Sequence, residues 1–166
     1  CGGPAFECTD AIGCVDIAPD EPVHIAYMLT ISGATAFLGE DSVGAIEIAV
    51  DDRGGELLGH PISVTGEDSL CSAEGGQNAA TKVAADPTIL GVIGTNCSSG
   101  GEPASRIASD AGMVLISPSN TAPSLTDPGM AWNPGYLRTC HNDKVQGAAM
   151  AKYVYEELGL RTAATV

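Results

Sequence analysis

Apolar residues along this chain come in two alternating rhythms, short unbroken runs and longer stretches at helical spacing. Val23 to Thr30 is the first run, apolar to both sides apart from His24, as in a strand covered on both faces. A loop, Ser32 to Glu40, follows with Gly33, Gly39 and the exposed-looking pair Phe37 and Leu38. Asp41 to Arg53 sets Val43, Ile46, Ala49 and Val50 on one stripe and stops at Gly54-Gly55, which predicts a helix. Pro61 to Gly66 reads as a second strand. Ser72 to Ala85 reads as a helix with Ser72 as its cap, a packing face of Ala79, Ala80 and Val83, and Pro87 just beyond.

The third run, Leu90 to Gly94, leads through the small residues Thr95 to Gly101 into a helix. Pro103 is expected in that helix's first turn, with Ala104, Ile107, Ala108 and Ala111 on one face and Gly112 as the stop. Met113 to Ile116 is a fourth strand and Ser117 to Pro134 a long polar loop. Tyr136 to Thr139 is a short extended segment, Asp143 to Leu158 a helix closed by Gly159, and Thr162 to Val166 the start of another strand. The alternation predicts an α/β fold, a doubly wound, mostly parallel sheet with right-handed crossovers. A chain halting on that last strand is expected to be incomplete and to leave a sticky apolar face there.

In such sheets ligands bind beyond the carboxyl ends of the strands. Ser32 to Glu40, Thr95 to Gly101 and Ser117 to Thr121 lie there. The second is the most telling, because a strand entering a helix through small residues leaves backbone N–H groups free at the positive end of a helix dipole. Such a turn seats an anion, a carboxylate as readily as a phosphate.

Composition narrows the class. Glycine is plentiful and aromatics scarce, which suits a close-packed α/β domain. The net charge of -14, from 21 acids against 7 bases, disfavours nucleic acid and anionic membrane as partners. No apolar run approaches the ~20 residues of a membrane span. Six cysteines point to an oxidising compartment. Cys71 and Cys97 each follow a predicted strand, where neighbouring strands would bring them together. A bridge there closes a loop of about 27 residues, worth roughly 3–4 kcal/mol on the chain-entropy argument. Cys8 and Cys14 can close a small loop within residues 1–21, a tether without periodicity. Cys1, followed by Gly-Gly, looks like the lipid-bearing start of a mature bacterial lipoprotein. Cys140 is left as a free thiol or as half of a pair with a cysteine outside this chain.

Enzyme signatures are missing. There is no Gly-x-Ser-x-Gly elbow, and Gly91-Val-Ile-Gly94 is not a dinucleotide fingerprint. His24, His60 and His141 lack metal-ligand spacing, and Asp51-Asp52 reads as a solvated helix end. Neither an enzymatic activity, a cofactor nor a metal is expected. Glu102 reads as a surface acid complementing a helix dipole.

The segments Thr-Ile-Ser-Gly-Ala-Thr-Ala-Phe-Leu-Gly (30–39), Asp-Ser-Leu-Cys (68–71), Gly-Thr-Asn-Cys-Ser-Ser (94–99), Ile-Ser-Pro-Ser-Asn-Thr-Ala-Pro (116–123), Leu-Arg-Thr (137–139) and Gln-Gly-Ala-Ala-Met-Ala (146–151) occur in a characteristic order. In them the chain resembles the N-terminal part of a type 1 periplasmic binding protein of the leucine/isoleucine/valine family, the extracytoplasmic receptors of branched-chain amino acid ABC importers. The resemblance implies two lobes clamping a ligand. Residues 22–136 would form the first lobe, 137–142 a hinge crossing and 143–166 an incomplete start of the second. It implies that Ser98, next to Ser99, and Thr121 with the backbone at Asn120 receive a ligand carboxylate, and it matches the family's cysteine pair to Cys71 and Cys97. Leu38, with Phe37 beside it, stands where the family commonly has an aromatic, so the side-chain pocket is expected to differ. The acid that receives a ligand ammonium belongs to the second lobe. The partners implied are a small carboxylate-bearing ligand, most plausibly an amino acid, and a membrane permease. A sensory ectodomain of the same fold is the alternative. Read without the resemblance, Ser98, Ser99 and Thr121 are sooner a helix cap and a turn than a ligand site.

Overall fold

The computed structural model describes residues 7–10 and 14–164. Its elements run β1 (Val23–Leu29), α1 (Phe37–Asp52), β2 (Glu56–Leu57), β3 (His60–Asp68), α2 (Ala73–Ala84), β4 (Ile89–Gly94), α3 (Ser98–Asp110), β5 (Val114–Ser117), a 3-10 turn at Pro123–Leu125, β6 (Tyr136–Arg138) and α4 (Asp143–Glu156). They form one sheet in the order β2-β3-β1-β4-β5-β6. Every neighbouring pair is parallel except the β2–β3 hairpin. The chain therefore winds outward from β1 to one side, then crosses to β4 and continues the other way. The reversal lies between β1 and β4, the place where an open α/β sheet leaves a crevice at its carboxyl edge. Register aligns the strand ends there: Leu29 faces Asp68, Met28 faces Gly94, and Ser117 faces Arg138.

Alternate strand residues point to opposite faces. On one face Ala26, Met28, Val92 and Leu115 pack under Ala79, Ala80 and Val83 of α2 and Ala104 and Ala108 of α3, with Leu125 and Tyr136 closing the side. Helices α2 and α3 meet glycine to glycine: a Cβ at Gly76 would sit 2.3 Å from the Gly100 carbonyl oxygen. That approach brings the starts of both helices to one place. On the other face α1 lies alone, and Ile25, Ile62, Val64 and Ile93 share with Ala45, Ile46, Ala49 and Val50 an open apolar groove of about 570 Å³.

Several boundaries differ from the sequence reading. Helix α1 begins at Phe37 rather than Asp41, so Phe37 and Leu38 sit in its first turn and not in a loop. Gly39 is the reason: a Cβ there would fall 1.9 Å from the Thr30 carbonyl oxygen, so only glycine lets this turn press on the end of β1. Helix α3 begins at Ser98, which places Pro103 inside the helix instead of in its first turn, and Glu102 beyond the first turn as well. The hairpin partner β2 was not foreseen; Leu58 and Gly59 make its two-residue turn, both at positive φ (54° and 85°). The strand expected over Thr162 to Val166 is absent from residues 162–164, which are irregular and exposed, with no neighbouring strand to pair with among the described residues. Its last two residues lie outside the described ones. Ser72 caps α2 as expected, its hydroxyl accepting the Gly75 N–H at 3.0 Å.

Candidate functional site

The loops after β1, β3, β4 and β5 converge at the carboxyl edge, sewn together from below by buried side chains. Thr30 donates its N–H to Asn96 Oδ1 (2.9 Å), and its hydroxyl accepts the Cys71 N–H (3.2 Å). Asn96 Nδ2 reaches the Leu38 carbonyl (3.3 Å) and the Ser42 hydroxyl (3.2 Å), which fixes the start of α1 beside the end of β4. Ser117 Oγ donates to the Thr95 carbonyl (2.8 Å) and accepts the Asn120 N–H (2.9 Å). The Cys71–Cys97 disulfide, with a Cα–Cα distance of 5.1 Å, joins the turns entering α2 and α3. Ser99 Oγ adds a bond to the Cys71 carbonyl (3.2 Å).

On this framework stands the first turn of α3. The amides of Gly100 and Gly101 both turn back to the Cys97 carbonyl at 3.1 Å, whereas those of Ser98 and Ser99 have no acceptor among the described residues. Ser98 Oγ accepts the N–H groups of Thr121 (3.2 Å) and Ala122 (3.1 Å), so the two predicted loops do meet. A hydroxyl has two acceptor positions and one proton; with both acceptors engaged, the Ser98 proton is still available to an outside acceptor. The half-buried Thr121 hydroxyl has no partner among the described residues, and its carbonyl accepts the Asp143 N–H at 3.0 Å. The arrangement is a cluster of donors with a helix dipole behind it and no cation in it, able to hold a carboxylate by charge-assisted hydrogen bonds.

Asn120 lies beneath this cluster and is fully buried. Its Nδ2 donates to Thr95 Oγ1 (3.2 Å), and Thr95 Oγ1 donates in turn to the Cys97 carbonyl (2.8 Å). Its own carbonyl accepts Arg138 Nη1 (3.0 Å) and the Cys140 thiol (3.2 Å). Gly101 makes room for it, since a Cβ there would fall 2.2 Å from Asn120 Nδ2. Tyr136 is buried with its hydroxyl beside Asn120 and Ser117 but without a hydrogen bond of good geometry. Burial raises its pKa, and those two side chains offset the rise only in part.

Phe37 and Leu38 are 64% and 39% exposed at the start of α1. Cys8 and Cys14 form the second disulfide (Cα–Cα 5.8 Å), and Cys140 is a half-buried free thiol. Cys1, the expected lipid anchor, lies outside the described residues. Among the described residues no group of three or more His, Cys, Asp or Glu side chains is placed to hold a metal, and no helix is long and apolar enough to cross a membrane. Thr30, Asn96, Ser117 and Arg138 were not singled out by the sequence reading, although Asn96 and Ser117 lie in segments it placed at the ligand edge. The first three share a signal that could have found them: each is a polar residue at or just after the end of an apolar run.

Residues 22–166 match a family profile described as periplasmic binding protein. The Leu/Ile/Val-binding protein of Escherichia coli strain K12 is 34% identical over 154 residues, covering 88% of this chain and 41% of that protein. The branched-chain amino acid transporter substrate binding protein LivJ of Streptococcus pneumoniae, solved with isoleucine, is 26% identical with a TM-score of 0.76, over 84% of this chain and 39% of that one. A solute binding protein of an ABC transporter from R. palustris, solved with benzoate, is also 26% identical with a TM-score of 0.76, over 84% of this chain and 38% of the other. The chain thus spans 41% of the length of the curated relative. Matched in sequence across all its regular elements and in fold across most of them, the chain belongs to the periplasmic binding protein family.

Proposed function

We propose that the chain supplies the first lobe of an extracytoplasmic solute-binding protein that captures a small carboxylate, an amino acid of the branched-chain type, and delivers it to an ABC importer permease. Residues 22–136 form that lobe, 137–142 the crossing and 143–166 the opening of a second lobe; residues 1–21 tether it, with Cys1 as the lipid-bearing residue. The observation that carries the reading is the Ser98 hydroxyl bonded to the Thr121 and Ala122 amides. That junction gathers the Ser98 proton, the Thr121 hydroxyl and the amides of Ser98 and Ser99 at one helix start. Ser99 contributes its amide, Asn120 holds the loop from below, and Phe37 and Leu38 offer apolar surface to the ligand's far end. The ligands of the two solved relatives, isoleucine and benzoate, share a carboxylate and not an ammonium. This supports a seat for the carboxylate in the present lobe, with the rest of the ligand recognised elsewhere.

Thermal shift of the full-length protein with leucine, isoleucine, valine and benzoate tests this. A ligand at 100 times its Kd adds about 2.7 kcal/mol of stability. Ser98→Ala should weaken binding about tenfold or more, or ~1.4 kcal/mol. The absence of a shift with any carboxylate contradicts the reading.

A further inference from the structure

The geometry points to Arg138 as the positioning residue of the carboxylate seat, clamping the loop that carries Thr121 to the first crossing strand. This deepens the function proposed above and rests on it. Three alternating residues of one extended segment grip the same loop, as a strand's period of two allows. Arg138 Nη1 donates to the carbonyls of Asn120 (3.0 Å) and Ala122 (2.9 Å), and Nη2 bonds the Thr126 hydroxyl. Cys140 donates to the Asn120 carbonyl (3.2 Å), and Tyr136 lays its ring in the core beside the Asn120 side chain. Pairing with β5 continues past β6 through the Thr139 N–H to the Ser117 carbonyl (3.0 Å), so the segment carrying these groups is itself held by the sheet.

The consequence follows from the planarity of one peptide. In a trans peptide C=O and N–H point to opposite edges. The unit between Asn120 and Thr121 is gripped at both: its carbonyl by Arg138 and Cys140, its N–H by Ser98 Oγ at 3.2 Å. Arg138 thereby sets the angle at which the Thr121 amide meets Ser98, and so the direction left for the Ser98 proton. It does this from behind the loop, without touching the seat. A guanidinium suits the task because its rigid fork holds several acceptors in one plane, whereas a lysine ammonium presents its three donors on a flexible stem. The last residue of β6 is thus mechanically tied to the seat, and any movement of the crossing reaches Thr121 through it.

The test uses the full-length protein and two readouts, hydrogen exchange of the Thr121 and Ala122 amides without ligand, and leucine binding by calorimetry. Arg138→Gln should speed exchange at both amides at least fivefold, because the loop is no longer held from behind and its bonds to Ser98 Oγ open more often, and should weaken leucine binding tenfold or more. Arg138→Lys should fall between wild type and the Gln variant in both. Unchanged exchange in Arg138→Gln overturns the clamp even if no ligand is found, which separates its failure from that of the proposed function. Faster exchange with leucine affinity within twofold of wild type overturns the positioning role. Should Arg138→Gln fail to fold, Arg138→Lys decides: wild-type exchange and affinity in that variant refute the inference.

Discussion

Asp68 ends β3 and accepts the amide protons of Leu70 (2.9 Å) and Ile31 (3.3 Å), so one carboxylate ties the loop after β1 to the turn that leads to Cys71. Burial alone would raise its pKa, but the Ser32 side chain and those two amides outweigh it, and the net shift is downward. A carboxyl lowered in the folded state stabilises above its unfolded value, about 3.9, and loses that contribution as pH falls through the lowered one. Asp68→Asn should therefore be less stable than wild type near neutrality, with the gap narrowing at acid pH. Urea midpoints across that range check it, and a gap independent of pH contradicts it. Residues of this kind show how far the sequence could be read. Ser98 and Thr121 were legible only through the family resemblance, because Ser and Thr are also standard cap and turn residues. Asn96 and Arg138 were not, because the partners of their side chains are 54 or more and as many as 18 positions away and become neighbours only once the sheet's register is set.

At the scale of elements, the alternation of apolar runs and helical stripes located each parallel strand and α-helix among the described residues, and added a strand at Thr162 that residues 162–164 do not form. It failed where close contact overrides local signals. Asp41 looks like a cap and Gly39 like a breaker, yet the missing Cβ of Gly39 lets α1 start earlier by seating its first turn on Thr30. Pro103 reads as a helix opener, but the turn before it, rich in small residues, is already helical. The β2–β3 hairpin was hidden for a chemical reason. Its turn needs positive φ at both central positions, for which Asn-Gly is the favoured pair, and Leu58 carries no such signal. Leu58 is 92% exposed, so the side chain gains nothing that offsets its backbone conformation. Leu58→Asn should stabilise by about 0.5–1 kcal/mol. Calorimetry should find a melting temperature up to about 4 °C higher, and an unchanged or lower value would contradict the turn assignment.

For the molecule as a whole, the sheet order fixes where a ligand can sit and which parts of the chain must cooperate. The carboxyl ends of β1 and β4 at the reversal, the disulfide beside them and the end of β6 all belong to the same edge. By contrast, helix α4 has no buried residue, and Val145, Met150 and Tyr153 on it are exposed. The architecture and the meeting of two hydroxyl loops were legible because both follow from strand ends in a parallel sheet. The polar framework under them was not, since it arises only on assembly. Whether this edge recognises a carboxylate, as proposed, is decided by calorimetric titration of the full-length protein with leucine, isoleucine and benzoate, each against its carboxamide. Every acid that binds should lose at least about 100-fold in affinity on amidation, ~2.7 kcal/mol, because the donors at Ser98 and Thr121 then face an NH2 group. Carboxamides that bind as tightly as the acids would refute carboxylate recognition here.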